Sequence, residues 1–272
     1  MADVLAVIVS YGNPYLSGRA MGTLKSQKGV TIKVVVWDNF STEGNLSHLR
    51  KLVTDEILVE SPNVLWSPAI NKAVKDYSDG EKFILMQNND LSLPNVNSVA
   101  TLVNLLETYE GAGLVGPAVP ALGGPQDPIR LQGVTSPVRV PYLLGACTVV
   151  SRRIWDEVGP LDPDMKLGAD DHDYSIRLKH YGYSLWVDPR VGAVHKGHAS
   201  NQTPDGAKEW GEWGKKSWAR FDEKWAGYFA NEEEAVKAHW AAVFDPDFII
   251  GTGWSEETYD ERIVRPMLNW SI

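Results

Sequence analysis

The first 110 residues alternate short apolar runs with segments that carry the spacing and start signals of helices. The apolar runs are residues 5–10, 31–37, 57–60 and 82–86. Nearly continuous apolar runs of this length are typical of parallel strands that helices cover on both faces. Helices are predicted over 14–27, 43–53, 67–77 and 95–110. The first of them opens with Pro14, because the N–H that proline lacks would stay unpaired in a first turn anyway.

This succession predicts an α/β fold with a mixed, mostly parallel sheet flanked by helices. Ligands of such sheets bind beyond the carboxyl ends of the strands. Residues 111–141 are rich in Gly and Pro and predict loops and edge strands. The elements predicted after them are a strand over 142–151, a helix over 170–181, two strands over 183–187 and 191–195 divided at Asp188, and charged, Trp-rich helices over 206–240.

Composition excludes several classes of protein. The formal net charge of −9 disfavours broad binding to nucleic acid or anionic membranes, which requires clustered Lys and Arg. No apolar run approaches the roughly 18 residues that span a bilayer, and the run over 4–9 is too short for a secretory signal. We therefore expect a cytoplasmic protein without an integral membrane segment. The single cysteine, Cys147, excludes an internal disulfide and a cysteine-cluster zinc site, and its apolar neighbours predict a core position.

One glycine motif matches the sequence of a cofactor-binding fingerprint but lacks the structural context that the fingerprint requires. Gly111, Gly113 and Gly116 have the G-x-G-x-x-G spacing of dinucleotide-binding loops. That loop must follow a strand and open a helix, whereas this segment follows a predicted helix and runs into Pro117. We interpret it as a turn followed by a strand.

Polar residues follow two of the predicted strands. Asp38 and Asn39 close the second strand, where a carboxylate can accept a hydrogen bond from a nucleobase or a ribose hydroxyl, or can form an Asx turn. Asn88, Asn89 and Asp90 follow the fourth strand. A carboxylate at such an edge can hold a divalent cation against a diphosphate, since hard cations prefer oxygen ligands; the alternative is a polar turn.

Three carboxylates occupy the first turn of the helix predicted from residue 170. The positive end of a helix tolerates such charges. Asp173 and Arg177 are spaced as a structural i,i+4 ion pair. Asp170 and Asp171 adjoin without a compensating charge, which could raise the pKa of one carboxyl toward that of a working base.

Two further features suit a binding site. His195 ends an apolar strand and His198 follows three residues later, a spacing that suits phosphate or metal contact, although a surface histidine is an equal alternative. Three tryptophans of the extension, Trp210, Trp213 and Trp218, could line a surface that stacks on a sugar, but packing of the Trp-rich stretch against the sheet is the favoured interpretation. The stretch also contains Trp225.

Taken in order, the motifs resemble the family 2 inverting nucleotide-sugar glycosyltransferases of the GT-A fold, in their rhamnosyl- and galactofuranosyl-transferase-like branch. The segments that carry the resemblance are 7–11, 35–42, 63–73, 85–90, 144–147, 158–162, 169–177, 182–183, 194–200 and 221–225. Departures from the family pattern are Leu65 for Gly, Asn88 for the first Asp of the metal motif, Leu161 for Phe and Asp170 for Glu.

The resemblance implies a role for each candidate residue. Contacts with the nucleotide or donor are implied for Ser10, Tyr11, Asp38, Asn71, Asn88 and Asn89. Asp90 and His195 would bind a divalent cation, Mn²⁺ or Mg²⁺. Asp171 would be the general base, with Asp170 assisting or orienting it. The implied donor is a nucleoside-diphosphate sugar, with UDP favoured over dTDP or GDP, and the acceptor could be a glycan, a lipid-linked glycan, a small molecule or a modified nucleobase.

The resemblance also divides the chain. Residues 1–200 would form the GT-A domain, with a nucleotide-binding half over 1–110 and an acceptor half over 111–200. Residues 201–272 would form a helical extension. Its Trp-rich and acidic composition predicts that it either caps the acceptor cleft or makes an oligomer interface, since so many large aromatic side chains would not be left exposed.

Two other classes remain open at this point. A nucleotidyltransferase would need a basic Gly-rich first loop, which residues 11–14 do not provide. A nucleotide-sugar-binding protein without turnover would not need both Asp90 and Asp171.

Overall fold

The computed structural model describes residues 2–120, 122, 124–197 and 204–229. The strands are β1 Val4–Ser10, β2 Ile32–Asn39, β3 Ile57–Ser61, β4 Phe83–Asn88, β5 Leu91–Ser92, β6 Ala112–Ala118, β7 Val138–Val140, β8 Cys147–Ser151, β9 Ser184–Gly192 and β10 Val194–His195. The helices are α1 Pro14–Lys25, α2 Glu43–Leu52, α3 Trp66–Tyr77, α4 Ser98–Thr108, α5 Arg152–Val158, α6 Asp170–His180 and α7 Pro204–Phe229.

The main sheet has the order β3-β2-β1-β4-β8-β6-β9-β7. Strands β3, β2, β1 and β4 are parallel to one another, and β6 is parallel to β9. Strand β8 pairs antiparallel with β4 and β6, and β7 pairs antiparallel with β9. This arrangement confirms the predicted mixed, mostly parallel sheet.

Strand β1 explains the continuous apolar pattern, because its alternate residues enter two different cores. Leu5, Val7 and Val9 pack into one core, and Val4, Ala6 and Ile8 pack into the other.

The elements predicted in the first half are confirmed to within three residues. Helix α1 begins at Pro14, and the Asn13 side chain caps it by accepting a hydrogen bond from the Leu16 N–H at 3.2 Å. Cys147 is buried in β8, as predicted, and burial raises the pKa of its thiol to about 12.

The second half corrects three predictions. Strand β6, placed by the sequence among loops and edges, lies inside the sheet between β8 and β9. Residues 142–146 are not part of the strand predicted over 142–151, because the Leu143 and Leu144 N–H groups donate to the Ser175 and Gln126 side chains instead of to a neighbouring strand. The strand predicted over 183–187 and the start of the strand predicted over 191–195 form one strand, β9, whose pairing with β6 shifts register after Asp188, whereas Val194 and His195 form β10. That irregularity accommodates Pro189, which has no N–H to offer.

Helix α5, which the sequence analysis missed, follows β8 directly, with the Ser151 hydroxyl accepting from the Ile154 N–H at its start. Within the part of the chain that the structure describes, no helix combines the length and the apolar character needed to cross a bilayer.

Candidate active site

The parallel strands bring three predicted residues to one edge of the sheet. Ser10 at the end of β1 pairs in register with Asp38 of β2, and Asn88 of β4 pairs with the residue before Ser10. Ser17 of α1, which sequence reasoning missed, joins this edge: its hydroxyl lies 2.7 Å from the Ser10 hydroxyl and accepts from the Asn89 amide at 3.1 Å. A serine one turn into a helix is too common to be singled out from sequence.

Asp38 is buried and forms the Asx turn considered above. Its carboxylate accepts from the Ser41 N–H at 2.9 Å and from the Ser41 hydroxyl at 2.5 Å. Burial raises the pKa of Asp38, and these hydrogen bonds oppose that rise without cancelling it. The Ser41 hydroxyl also accepts from the Gly12 N–H at 3.0 Å, which ties the loop containing half-buried Tyr11 to the end of β2.

Asn71 has partners away from this edge. Its amide nitrogen donates to the Leu161 carbonyl at 2.8 Å, and its amide oxygen accepts from the Leu161 N–H at 3.0 Å. Both bonds fasten α3 to the loop before α6. A contact of Asn71 with a donor stays a prediction.

The pairing of β5 with β10 brings Asp90 and His195 together. His195 is in register with Leu91, the residue after Asp90. The imidazole Nε2 lies 3.3 Å from Asp90 Oδ1, and both side chains are buried, with exposed fractions of 4% and 7%. Burial lowers the pKa of His195, but the hydrogen bond and charge of Asp90 outweigh it, so the pKa lies above its usual value. His198 and Ser200 lie outside the described residues.

These two side chains fit a divalent cation. Carboxylate oxygen and imidazole nitrogen are ligands that Mn²⁺ accepts. Two neighbouring ligands at about 2.1 Å from one octahedral cation are about 3 Å apart, close to the 3.3 Å between Nε2 and Oδ1. Among the described residues, no group of three or more His, Cys, Asp and Glu side chains could hold a metal. A cation held by this pair would therefore need ligands beyond the acidic, histidine and cysteine side chains that the structure describes.

Asp170 and Asp171 begin α6, as predicted, but their surroundings differ. Asp170 is buried, and burial followed by the charge of Asp171 raises its pKa well above the usual value. Asp171 is 19% exposed; burial raises its pKa, but His172 and backbone N–H groups outweigh this and hold it below the usual value. His172, which the sequence expectation did not consider, is therefore a hydrogen-bonding partner of Asp171.

The Asp171 carboxylate is held by three hydrogen bonds. Oδ1 accepts from the His172 N–H and from His172 Nδ1, both at 2.8 Å, and Oδ2 accepts from the Gly145 N–H at 3.1 Å. Asp170 and Asp171 also line a cavity of about 20 Å³, together with Trp66. A volume of this size admits one water molecule.

Helix α7 docks on the helix that carries these carboxylates. The buried Asp173 carboxylate pairs with Arg177 Nε at 2.8 Å and Lys224 Nζ at 2.7 Å, and accepts from the Trp225 indole at 3.0 Å. The Asp173–Arg177 ion pair is thus confirmed. Lys224 also pairs with Asp162 at 2.9 Å.

The three tryptophans of α7 whose side chains the structure describes do not have the predicted contacts with the sheet. Trp213 lies between Lys166 and Lys216, Trp218 contacts His172, and Trp225 contacts His180. Their partners lie on α6, on the loop before it and on α7 itself, because polar bonds to Asp162 and Asp173 anchor α7 there. The side chain of Trp210 lies outside the described residues.

Phe221→Ala tests this docking. Phe221 is 5% exposed and packs with Met165, Ala169 and Ile176. Core Phe→Ala changes cost about 3–5 kcal/mol, and we expect about 3 kcal/mol because this cluster is small. Denaturant unfolding measures the loss. Lys215→Ala, on the exposed face of the same helix, should stay within about 0.5 kcal/mol of the parent. Equal stabilities of the two variants would contradict the docking described here.

Comparison with known proteins gives relatives in sequence and in structure. No protein-family model matches the chain. The chain is 24% identical, over 249 aligned positions, to N-acetylglucosaminyl-diphospho-decaprenol L-rhamnosyltransferase of Mycobacterium tuberculosis, with 75% of this chain and 80% of the relative covered.

Two solved structures share the fold. Mannosyltransferase PcManGT from Pyrobaculum calidifontis, in complex with GDP-Man and Mn²⁺, has a TM-score of 0.57 and 18% identity, with 99% of this chain and 83% of that chain covered. GalNAc-T7 with UDP, GalNAc and Mn²⁺ has a TM-score of 0.59 and 15% identity, and the chain spans 58% of its length.

The fold is that of the GT-A glycosyltransferases, as the motifs predict. With the rhamnosyltransferase relative, the structural neighbours confirm the resemblance stated from the sequence, and the chain is a glycosyltransferase of this fold.

Proposed function

We propose that the chain transfers a sugar, with inversion, from a nucleoside-diphosphate donor to an acceptor hydroxyl, and that Asp171 is the general base. The observation that carries this proposal is the contrast between the two adjacent carboxyls of α6. Asp171 reaches solvent and is held in its ionised form, whereas Asp170 is buried and favours its neutral form. A general base must be ionised and accessible.

The chemistry assigned to Asp171 is a single proton transfer. The acceptor oxygen forms a bond to the anomeric carbon as the bond from that carbon to the diphosphate oxygen breaks. The hydroxyl proton passes to the Asp171 carboxylate, which must lie within about 2.6–3.2 Å of the acceptor oxygen. Because Gly145 and His172 already fix the carboxylate, little reorganisation is needed when the acceptor arrives.

The donor would bind across the polar edge formed by β1, β2 and β4. Ser10, Asp38 and Asn88 offer acceptors and donors there for a nucleobase and ribose, with Tyr11 and Asn89 beside them. We favour UDP as the nucleotide over dTDP or GDP. The structural neighbours were solved with GDP-Man and with UDP, so the fold accommodates either base.

Asp90 and His195 are the residues that would hold a divalent cation. Bound there, Mn²⁺ or Mg²⁺ would neutralise negative charge on the diphosphate leaving group. The Mn²⁺ of both neighbouring structures and the ligand chemistry of this pair support the assignment.

For the acceptor we propose a glycan or a lipid-linked glycan. The relative of the chain is named for a lipid-linked N-acetylglucosamine acceptor, and an aromatic side chain of α7, Trp218, is 41% exposed and contacts His172 beside Asp171. We propose further that α7 caps the acceptor side of the GT-A domain, since it docks on the base-bearing helix.

A thermal-shift panel tests the proposal. UDP, GDP, dTDP and CDP are each added with Mn²⁺ or with EDTA, and one diphosphate should stabilise the protein most in Mn²⁺. A ligand at a hundred times its Kd stabilises by about 2.7 kcal/mol. The matching nucleotide sugars are then assayed for transfer. No shift and no nucleotide release with any donor would contradict the proposal, whereas stabilisation without turnover would favour the binding-protein alternative.

A further inference from the structure

His172 lies between the candidate base and the C-terminal helix. Its Nδ1 is 2.8 Å from Asp171 Oδ1. An ionised carboxylate can only accept, so Nδ1 carries the hydrogen of this bond. Because the ring is hydrogen-bonded to one carboxylate oxygen, it is the one side chain among the three groups that fix the rotation of the Asp171 side chain and the direction of Oδ2, the other two being the His172 and Gly145 N–H groups.

Aromatic side chains from two elements hold the His172 ring. Tyr142, in the loop before β8, stacks on it with ring centroids 4.5 Å apart and an interplanar angle of 29°. The rings of Trp218 and Phe221, both on α7, pack beside it with centroids 5.2 and 6.2 Å from the imidazole centroid. Burial raises the pKa of Tyr142 to about 12, so its ring stays uncharged near the Asp171 carboxylate. The imidazole is thus fixed by packing and is 20% exposed.

We propose that His172 is a positioning residue for glycosyl transfer: it holds the Asp171 carboxylate in the orientation that receives the acceptor proton, and α7 supports it through Trp218 and Phe221. This inference rests on the proposed function. Under this proposal α7 affects the reaction in addition to covering the acceptor cleft, because Trp218 and Phe221 pack against the His172 ring that is hydrogen-bonded to Asp171. Displacing a reacting group by about 1 Å can cost about a hundredfold in rate.

Substitutions at His172 separate positioning from packing. His172→Ala should lower kcat by about 10–100-fold with an unchanged KM for the donor. His172→Asn should restore much of kcat, because the Asn amide nitrogen occupies the place of Nδ1, whereas His172→Gln places its amide near Nε2 and should not. Asn and Gln both lose the aromatic stack, so a purely structural role would affect them alike. Thermal unfolding of each variant checks that it is folded.

A double-mutant cycle with Asp171→Asn provides the second measurement. If His172 acts through Asp171, His172→Ala should lower the residual rate of Asp171→Asn far less than it lowers the parent rate. His180→Ala is the matched control, since His180 lies on the same helix and contacts α7 through Trp225. It should keep the parent kcat.

The outcomes are distinguishable. A His172→Ala variant with parent kcat, equal rates for the Asn and Gln variants, or an undiminished effect in the Asp171→Asn background would each overturn the positioning role and leave the proposed function standing. A parent protein that releases no nucleotide from any donor would instead refute the proposed function, and the inference with it.

Discussion

Asp171→Asn is expected to lower kcat by about 10²–10⁴-fold, the usual contribution of a general base. The amide keeps the shape of the carboxylate but cannot take a proton from the acceptor hydroxyl. Affinity for the nucleoside diphosphate should change little, because Asp171 lies on α6 and the proposed donor contacts lie at the ends of β1, β2 and β4. Initial-rate kinetics with calorimetric titration of the nucleotide measure both quantities.

Asp170→Asn is the matched control for this prediction. Asp170 is buried, and burial and the charge of Asp171 favour its neutral form, which an amide imitates in size and polarity. We therefore expect a much smaller loss of kcat than for Asp171→Asn. A parent-like kcat in Asp171→Asn would remove Asp171 from the mechanism, and a larger loss in Asp170→Asn would exchange the roles of the two carboxyls.

The difference between the two carboxyls could not be predicted from the sequence. The residues at 170 and 171 are identical, and their position at a helix start, which the structure confirms, is shared by both. What separates them is burial of one and hydrogen bonding of the other to Gly145, 26 residues away in the chain. His172 also gave no signal, because a single histidine among carboxylates has no diagnostic spacing.

Periodicity located the first half of the fold because each parallel strand is buried on both faces and therefore appears as an apolar run. In the second half, the Leu143 and Leu144 N–H groups donate to side chains instead of to a neighbouring strand. A register shift lets β9 continue through Pro189. Neither feature produces a pattern in the neighbouring residues from which it could be predicted. The docking of α7 depends on contacts such as that between Lys224 and Asp162, which lie far apart in the sequence, so no local pattern could predict it.

Asp90→Ala is expected to weaken binding of the nucleoside diphosphate by about 10–100-fold in Mn²⁺, the range typical when support for a metal site is lost. In EDTA the parent and the variant should bind equally weakly, because Asp90 is proposed to act only through the cation. Titration calorimetry in both buffers gives the four affinities. Thermal unfolding of the variant checks the fold, since buried His195 loses the carboxylate that lies 3.3 Å from its Nε2.

Two further variants make this measurement specific to the metal. His195→Ala should also weaken binding in Mn²⁺ but not in EDTA, because the β5–β10 pairing places His195 beside Asp90 at the proposed cation site. Asp38→Ala should instead weaken binding in Mn²⁺ and in EDTA alike, because Asp38 is proposed to contact the nucleoside and lies in register with Ser10 on β1. Parent affinity that is identical with Mn²⁺ and with EDTA would show that binding is metal-independent. The buried Asp90–His195 pair would then be a structural link that fastens β10 to the end of β4.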